Sequence, residues 1–390
     1  MNLRRVWARC AATQSDVIPS NNLSMFVASS IRRALVVAGS SIVAAGLLAS
    51  PQEADSTHCD RLRPMSGCDD RRTFLKRAAL SGWIGGLTLR SRVAEAQGVV
   101  TNSTGTEPPR FKAPANACDS HIHIYDPARF PLVPSQRVPP TEAAVPQYRL
   151  LQRRIGTTRV VVVTPRNYAT QNAVTLDAIS QLGAGARGVA VVHPTVTDAE
   201  LRRLHAGGIR GIRFSLNDPA TAVVTLDMVE PLSARVADLG WHAQFNIDGD
   251  QIVDWAPMLR RLPSATVFDH MGHPPLPAGT AHPSHRVILD LLDRGRTWVK
   301  LSGAYSNTRV GAPYPEATAI ARAFVKAAPE RLVWGSDWPH PTEPPDRKPN
   351  DAVLFDLLSE WAPDERIRHS ILVENPAALY GFAIGGARNI

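Results

Sequence analysis

From Asn116 onward the chain alternates short apolar runs with stretches of helical periodicity, and this alternation narrows the available folds more than any other feature. The runs fall at 118–124, 159–164, 188–193, 208–215, 242–247, 266–270, 298–302 and 332–335. Several are nearly continuous Val, Ile and Leu, as strands covered on both faces must be. Helical patterns lie between them at 170–182, 198–206, 227–239, 251–262, 285–294, 315–327 and 351–361. The pattern at 198–206 opens on Thr197-x-x-Glu200, the signature of a capping box. Eight strands with helices between them close into a parallel barrel whose interior side chains can fill. The expected fold is α/β, a (β/α)8 TIM barrel forming one catalytic domain over 116–383, with a tail at 384–390. An open doubly wound sheet is the competing arrangement. The Gly-x-Gly-x-x-Gly turn of a dinucleotide site does not follow the first run.

The first hundred residues read as a separate system. Asp70-Arg71-Arg72-Thr73-Phe74-Leu75-Lys76 has the form of a twin-arginine export signal, followed by a short apolar stretch at 78–89 and the small-x-small site Ala94-Glu95-Ala96. Residues 65–96 are then the signal peptide, 1–64 an extension produced by a start assigned upstream of Met65, and 97–115 a Thr-, Pro- and Gly-rich linker. The apolar run at 34–49 is the rival signal or anchor. The expected destination is the periplasm, with the twin-arginine translocase as partner. Charge divides the same way: residues 1–96 hold 13 Lys/Arg against 7 Asp/Glu, and the remainder 30 against 28. A catalytic region so near neutrality offers no broad field to a nucleic acid. Three of the four cysteines, Cys10, Cys59 and Cys68, lie in the leader, so the mature chain keeps Cys118 and no internal disulfide.

Chemistry concentrates where strands end. The first run carries His121-Ile122-His123, two imidazoles on one side of a strand, at the C-terminal mouth where barrels place their reactions. The sixth ends Phe268-Asp269-His270-Met271-Gly272-His273-Pro274, and the eighth Trp334-Gly335-Ser336-Asp337-Trp338-Pro339-His340. Three strand ends thus bring His or Asp to one rim. A carboxylate among imidazoles at a desolvated mouth suits hydrolysis, which needs a base for water and donors for an oxyanion.

These three motifs, with Ile371-Leu372-Val373-Glu374-Asn375-Pro376-Ala377-Ala378-Leu379-Tyr380-Gly381-Phe382, resemble the amidohydrolase superfamily, in the branch of 2-pyrone-4,6-dicarboxylate lactonase, 4-sulfomuconolactone hydrolase and galactarolactone isomerase. The resemblance implies that Asp337 is the general base and that His121, His123 and His270 either bind a metal or polarise the lactone carbonyl. It implies a hydrolase that opens a small carboxylated lactone. A lactone isomerase or non-oxidative decarboxylase on the same scaffold, and a non-catalytic periplasmic binding protein, are the alternatives.

Strand four offers Arg210 and Arg213 where the superfamily's binuclear members have Lys, and strand five offers Gln244, with His242 at the wrong end. A second metal is not expected. One zinc on His121, His123, His270 and Asp337, and catalysis without metal, both remain open. Arg213, nearer the mouth, is the candidate clamp for a substrate carboxylate, while Arg210, three residues earlier, points to the other side. His273 and the Ser306-Asn307 pair replace arginines common in that branch. This favours a substrate with one carboxylate or more hydroxyls, hydrogen-bonded by His273, Tyr305, Gln244 and Asn307. Trp338 and His340 are further candidates for the pocket wall.

Overall fold

Eight parallel strands follow one another round a single sheet in chain order. They are β1 (Cys118–Ile122), β2 (Arg159–Val163), β3 (Ala186–Ala190), β4 (Ile209–Ser215), β5 (His242–Asn246), β6 (Ala265–Phe268), β7 (Thr297–Leu301) and β8 (Leu332–Trp334). The computed structural model describes residues 99–134 and 138–383, so the export signal, its upstream extension and the tail lie outside the described residues. The sheet closes beyond the end of β8. Ile122 bridges Trp338 in parallel register, the His123 amide donates to the Trp338 carbonyl at 2.8 Å, and the Asp337 amide donates to the His121 carbonyl at 2.9 Å. The result is the expected (β/α)8 barrel.

The helices are α1 (Val145–Ile155), α2 (Ala173–Leu182), α3 (Asp198–Ala206), α4 (Val229–Ala237), α5 (Gly249–Asp254), α6 (Ala256–Arg261), α7 (Pro283–Asp293), α8 (Pro315–Ala327), α9 (Asp351–Trp361), α10 (Glu365–His369) and α11 (Asn375–Tyr380). All but α11 contribute to one continuous apolar layer on the outer faces of the strands. Two departures from expectation have local causes. The pattern at 251–262 is broken at Trp255, where Pro257 at the start of α6 has no amide to continue the ladder. The helix α1 escapes a reading by composition because Gln147, Arg149, Gln152 and Arg153 interrupt the apolar stripe Val145, Tyr148, Leu151 and Ile155.

Inside the barrel the lower end is apolar. Cys118, Val161, Val163 and Val189 pack on Tyr380 and Phe382, and Val267, Trp298 and Val333 pack on Leu379. The C-terminal α11 therefore plugs the bottom, which leaves the top for chemistry. The segment 99–115, expected as a linker, lies against the barrel wall: Phe111 stacks on Phe355 at 5.2 Å, and the Asp356 carboxylate accepts from the Arg110 and Phe111 amides. Within β1 the register shifts between Asp119 and Ile122. This irregularity lets Cys118 face the plug below while His121 and His123 both reach the mouth.

Candidate active site

His121, His123, His270 and Asp337 meet at the upper end of the barrel. The Nε2 atoms of His121 and His123 are 3.3 Å apart, and Asp337 Oδ1 lies 3.4 Å from the first and 3.5 Å from the second. His270 Nε2 stands 3.9 Å from Asp337 Oδ2. His270 and Asp337 both have left-handed backbones, with φ of 48° and 64°. This conformation is costly for residues with a Cβ and turns each side chain out of strand geometry into the mouth.

Hydrogen bonds behind the cluster orient it. His123 Nδ1 donates to the Val163 carbonyl at 2.8 Å, so its Nε2 presents a lone pair inward. His270 Nδ1 shares a bond with Ser302 Oγ at 2.9 Å. Tyr305 donates to Asp337 Oδ2 at 2.5 Å, while Asp337 Oδ1 has no hydrogen-bond donor among the described residues. Burial pushes the Asp337 carboxyl up, but the imidazoles of His270, His123 and His121 outweigh it and hold the group well below the usual carboxylate range. Burial pushes the His121 imidazole well down, helped by Lys300, and lowers that of His270. The centre is thus an anionic carboxylate ringed by imidazoles, two of which, His121 and His270, burial disfavours as cations.

Beneath it lies a charged layer that sequence reasoning missed. Asp269 and Lys300 are both wholly buried, and Lys300 Nζ sits 3.7 Å from Asp269 Oδ1, 3.2 Å from His121 Nδ1 and 3.0 Å from the Ser120 carbonyl that accepts its bond. Arg213 Nε and Gln244 Nε2 both donate to Asp269 Oδ2, at 2.9 and 3.1 Å. Asp269 Oδ1 is 3.2 Å from His121 Nδ1. Burial would raise the Asp269 carboxyl, yet His121, Arg213 and Lys300 drive it well below its ordinary range. Burial lowers the Lys300 ammonium to about 8.

Above the cluster opens a cleft of about 600 Å³, mouth included, walled by His123, His270, Asp337, Arg213, Arg166, Ser215, Asn217, Asn246 and His273. Arg213 is therefore shared between Asp269 and the cleft. His273 reaches the cleft and pairs with Asn246 Oδ1 at 3.1 Å. Gln244, Asn307 and Tyr305 are not in its wall, contrary to expectation: Gln244 is spent on Asp269, Asn307 Nδ2 donates to the His270 and Gly303 carbonyls, and the Tyr305 hydroxyl donates to Asp337. Trp338 and His340 are also buried behind the wall, Trp338 Nε1 donating to the Thr101 carbonyl at 2.8 Å. Arg210 points away, as expected, and donates to the His205 carbonyl. Arg166 was missed because a lone Arg after β2 carries no signal, although it holds Ser215 at 2.8 Å and brings a second guanidinium to the cleft.

The donor atoms suit one small cation. A tetrahedral ion with N and O ligands at about 2.0–2.1 Å separates them by about 3.3–3.4 Å. The His121, His123 and Asp337 atoms, 3.3 to 3.5 Å apart, match that spacing.

The amidohydrolase family profile matches residues 118–382. A 4-sulfomuconolactone hydrolase of Rhizobium radiobacter is 32% identical over 277 residues, covering 70% of this chain and 93% of the relative. A D-galactarolactone isomerase of Agrobacterium fabrum is 34% identical, over 72% of this chain and 96% of its own. A crystal structure from Agrobacterium tumefaciens, solved without ligand, superposes with a TM-score of 0.67 at 32% identity, covering 73% of this chain and 99% of that one.

Proposed function

The chain belongs to the amidohydrolase family, and from that premise we propose that it hydrolyses a small carboxylated lactone with Asp337 as general base. The observation that carries this reading is the unpaired Oδ1 of an ionised Asp337, facing imidazoles at the floor of a cleft that also holds Arg213 and Arg166. Asp337 takes a proton from a water in the cleft as its oxygen attacks the lactone carbonyl. His270, on the cleft wall with its Nε2 toward Asp337, can donate an N–H to the carbonyl oxygen as it gains charge, while His123, its lone pair inward, and His121, 3.3 Å from it, complete the imidazole floor. Asp337 then returns the proton to the ring oxygen as the C–O bond breaks, giving a hydroxy acid. Arg213 and Arg166 supply the guanidinium surface that holds the substrate carboxylate, with His273 and Asn246 beside them for hydroxyls. His121, His123 and Asp337 would hold a single zinc-like ion, which when bound supplies Lewis-acid polarisation of that carbonyl.

The test is a pH-indicator screen of γ- and δ-lactones, with and without a carboxylate, on wild type and Asp337→Asn, before and after chelation. Acid release by wild type that falls roughly 10²–10⁴-fold in Asp337→Asn is the expected result. Conversion to a second lactone without acid release favours the isomerase reading that one relative's name suggests; released CO2 favours decarboxylation. A ligand recovered unchanged sinks catalysis altogether. Export rests on the motif Asp70 to Lys76, and replacing Arg71 and Arg72 by Lys is expected to retain the protein in the cytoplasm.

A further inference from the structure

We propose that the lactone carries a small alkyl branch, methyl to ethyl in size, beside its carboxylate, and that Val191, Val223 and Val224 form the dry side pocket that takes it. This substrate class rests on the hydrolytic reading of the cleft. Between the upper ends of β2, β3 and β4 lies a second cavity of about 250 Å³, mouth included. Arg166, Arg213 and Ser215 line both spaces, so the cavity adjoins the cleft at the two guanidiniums. The rest of its wall is Thr164 and the three valines. Val191 and Val224 are buried and Val223 is half-buried.

The polar groups of this wall are already committed. The Thr164 hydroxyl is shared with Asn172 Oδ1 at 2.9 Å and Thr175 Oγ1 at 2.7 Å. The Val191 amide donates to Asn172 Oδ1 and its carbonyl accepts from Asn172 Nδ2, both at 2.9 Å. Ser215 Oγ accepts from Arg166 Nε at 2.8 Å and from Asn246 Nδ2 at 2.9 Å. Arg166 also donates to Thr221 Oγ1 at 2.6 Å and to Asn217 Oδ1. These bonds tie down the loop after β4, which brings Val223 and Val224 to the cavity. A water there finds few partners, and a hydroxyl forfeits the bonds it makes in bulk solution. An alkyl group gives up no bond and leaves water. Arg213 sets the direction of approach. Among the described residues it gives only Nε, to Asp269 at 2.9 Å, so the outer edge of its guanidinium remains for the substrate carboxylate. A branch on the carbon that bears this carboxylate then stands at the cavity mouth.

The probes are racemic γ-butyrolactones with a carboxylate on the ring carbon next to oxygen, and hydrogen, methyl or hydroxymethyl as that carbon's remaining substituent. The readout is the ratio of kcat/KM values within each protein, in which a general loss of activity cancels. Wild type is expected to open the methyl lactone on the order of tenfold more efficiently than the other two. Val224→Thr keeps the shape of the wall and adds a hydroxyl, so it is expected to shift the preference from methyl toward hydroxymethyl. Val191→Ile fills the cavity and is expected to remove the preference for methyl over hydrogen. A wild type that favours the unbranched or the hydroxymethyl lactone overturns the proposal, as do ratios that neither variant moves. Should wild type open none of the three, the hydrolytic reading fails by itself, and the pocket is decided without turnover. Xenon under pressure enters a dry apolar cavity, and crystals of the wild-type protein show where it binds. Xenon between Val191 and Val224 supports the pocket. Its absence, or ordered water in its place, overturns it.

Discussion

An ammonium without access to water must be compensated by its neighbours, and Lys300 shows how this barrel does it. Asp269 balances Lys300 on one side and Arg213 on the other, and His121 leans on the same pair. Removing one member of such a network costs more than the network contributes, because a buried charge is left uncompensated. Lys300→Met is therefore expected to destabilise the fold by about 3–5 kcal/mol, read as a lower urea midpoint at unchanged slope. A Lys300→Met variant with wild-type stability would show that Asp269 needs only Arg213. At this scale the sequence revealed the residues whose chemistry is unusual at a strand end: His121, His123, His270 and Asp337. It concealed Lys300 and Asp269. A single Lys in Trp298-Val299-Lys300-Leu301 announces neither its burial nor its partner, which comes from a strand about thirty residues earlier. Gln244 was assigned to the right side of its strand but one layer too high, because parity fixes direction and not depth.

Between elements, the decisive contact is the seam where the end of β8 meets β1. A Cβ on Gly335 would stand 2.7 Å from the His121 Cβ and 2.8 Å from its backbone nitrogen. Ser336 next to it donates from both N and Oγ to Asp119, at 2.9 and 2.6 Å. The seam thus depends on a residue without a side chain beside one that is anchored. Gly335→Ala is expected to force the two strands apart, at a cost of about 1–3 kcal/mol. It should also lower kcat, since Asp337 and His121 ride on the two sides of the gap. Thermal unfolding together with turnover checks this, and an unchanged protein by both measures would mean that the seam yields freely. Strands such as β2, β6 and β8 were legible because both their faces are covered, which makes them nearly continuous apolar runs, whereas β1, β4 and β5 carry His, Arg or Gln among their apolar residues. Their order was legible because βα units wind one way. Helical faces were less so. The sequence of α2 admits two neighbouring apolar faces, one through Ala173, Leu176 and Ile179 and one through Val174, Ala178 and Ile179, and the structure buries the second and leaves Ala173 exposed.

Over the whole molecule, the barrel stacks a titratable mouth on an apolar plug, and His242 lies at the boundary. Its ring covers Gly211, where a Cβ would meet Nε2 at 2.3 Å, and meets Tyr380 edge to face at 5.4 Å. Neither ring nitrogen has a hydrogen-bond partner among the described residues. Burial, aided by Lys300, lowers its pKa from 6.5 to about 3. In the unfolded chain the same imidazole titrates near its ordinary value. Between those two values the unfolded state binds a proton that the folded state refuses, so stability falls as the solution is acidified through this window. At about pH 5 the deficit from this one residue is about 2 kcal/mol, one and a half pH steps below the unfolded value at about 1.4 kcal/mol each. His242→Phe keeps a ring over Gly211 and removes the titration. The other histidines act equally on both proteins, so urea unfolding at about pH 7 and about pH 5 isolates this term. Wild type is expected to lose about 2 kcal/mol more than His242→Phe on acidification. Equal losses in the two proteins would mean that His242 takes up its proton inside the fold, and that water reaches the floor of the barrel.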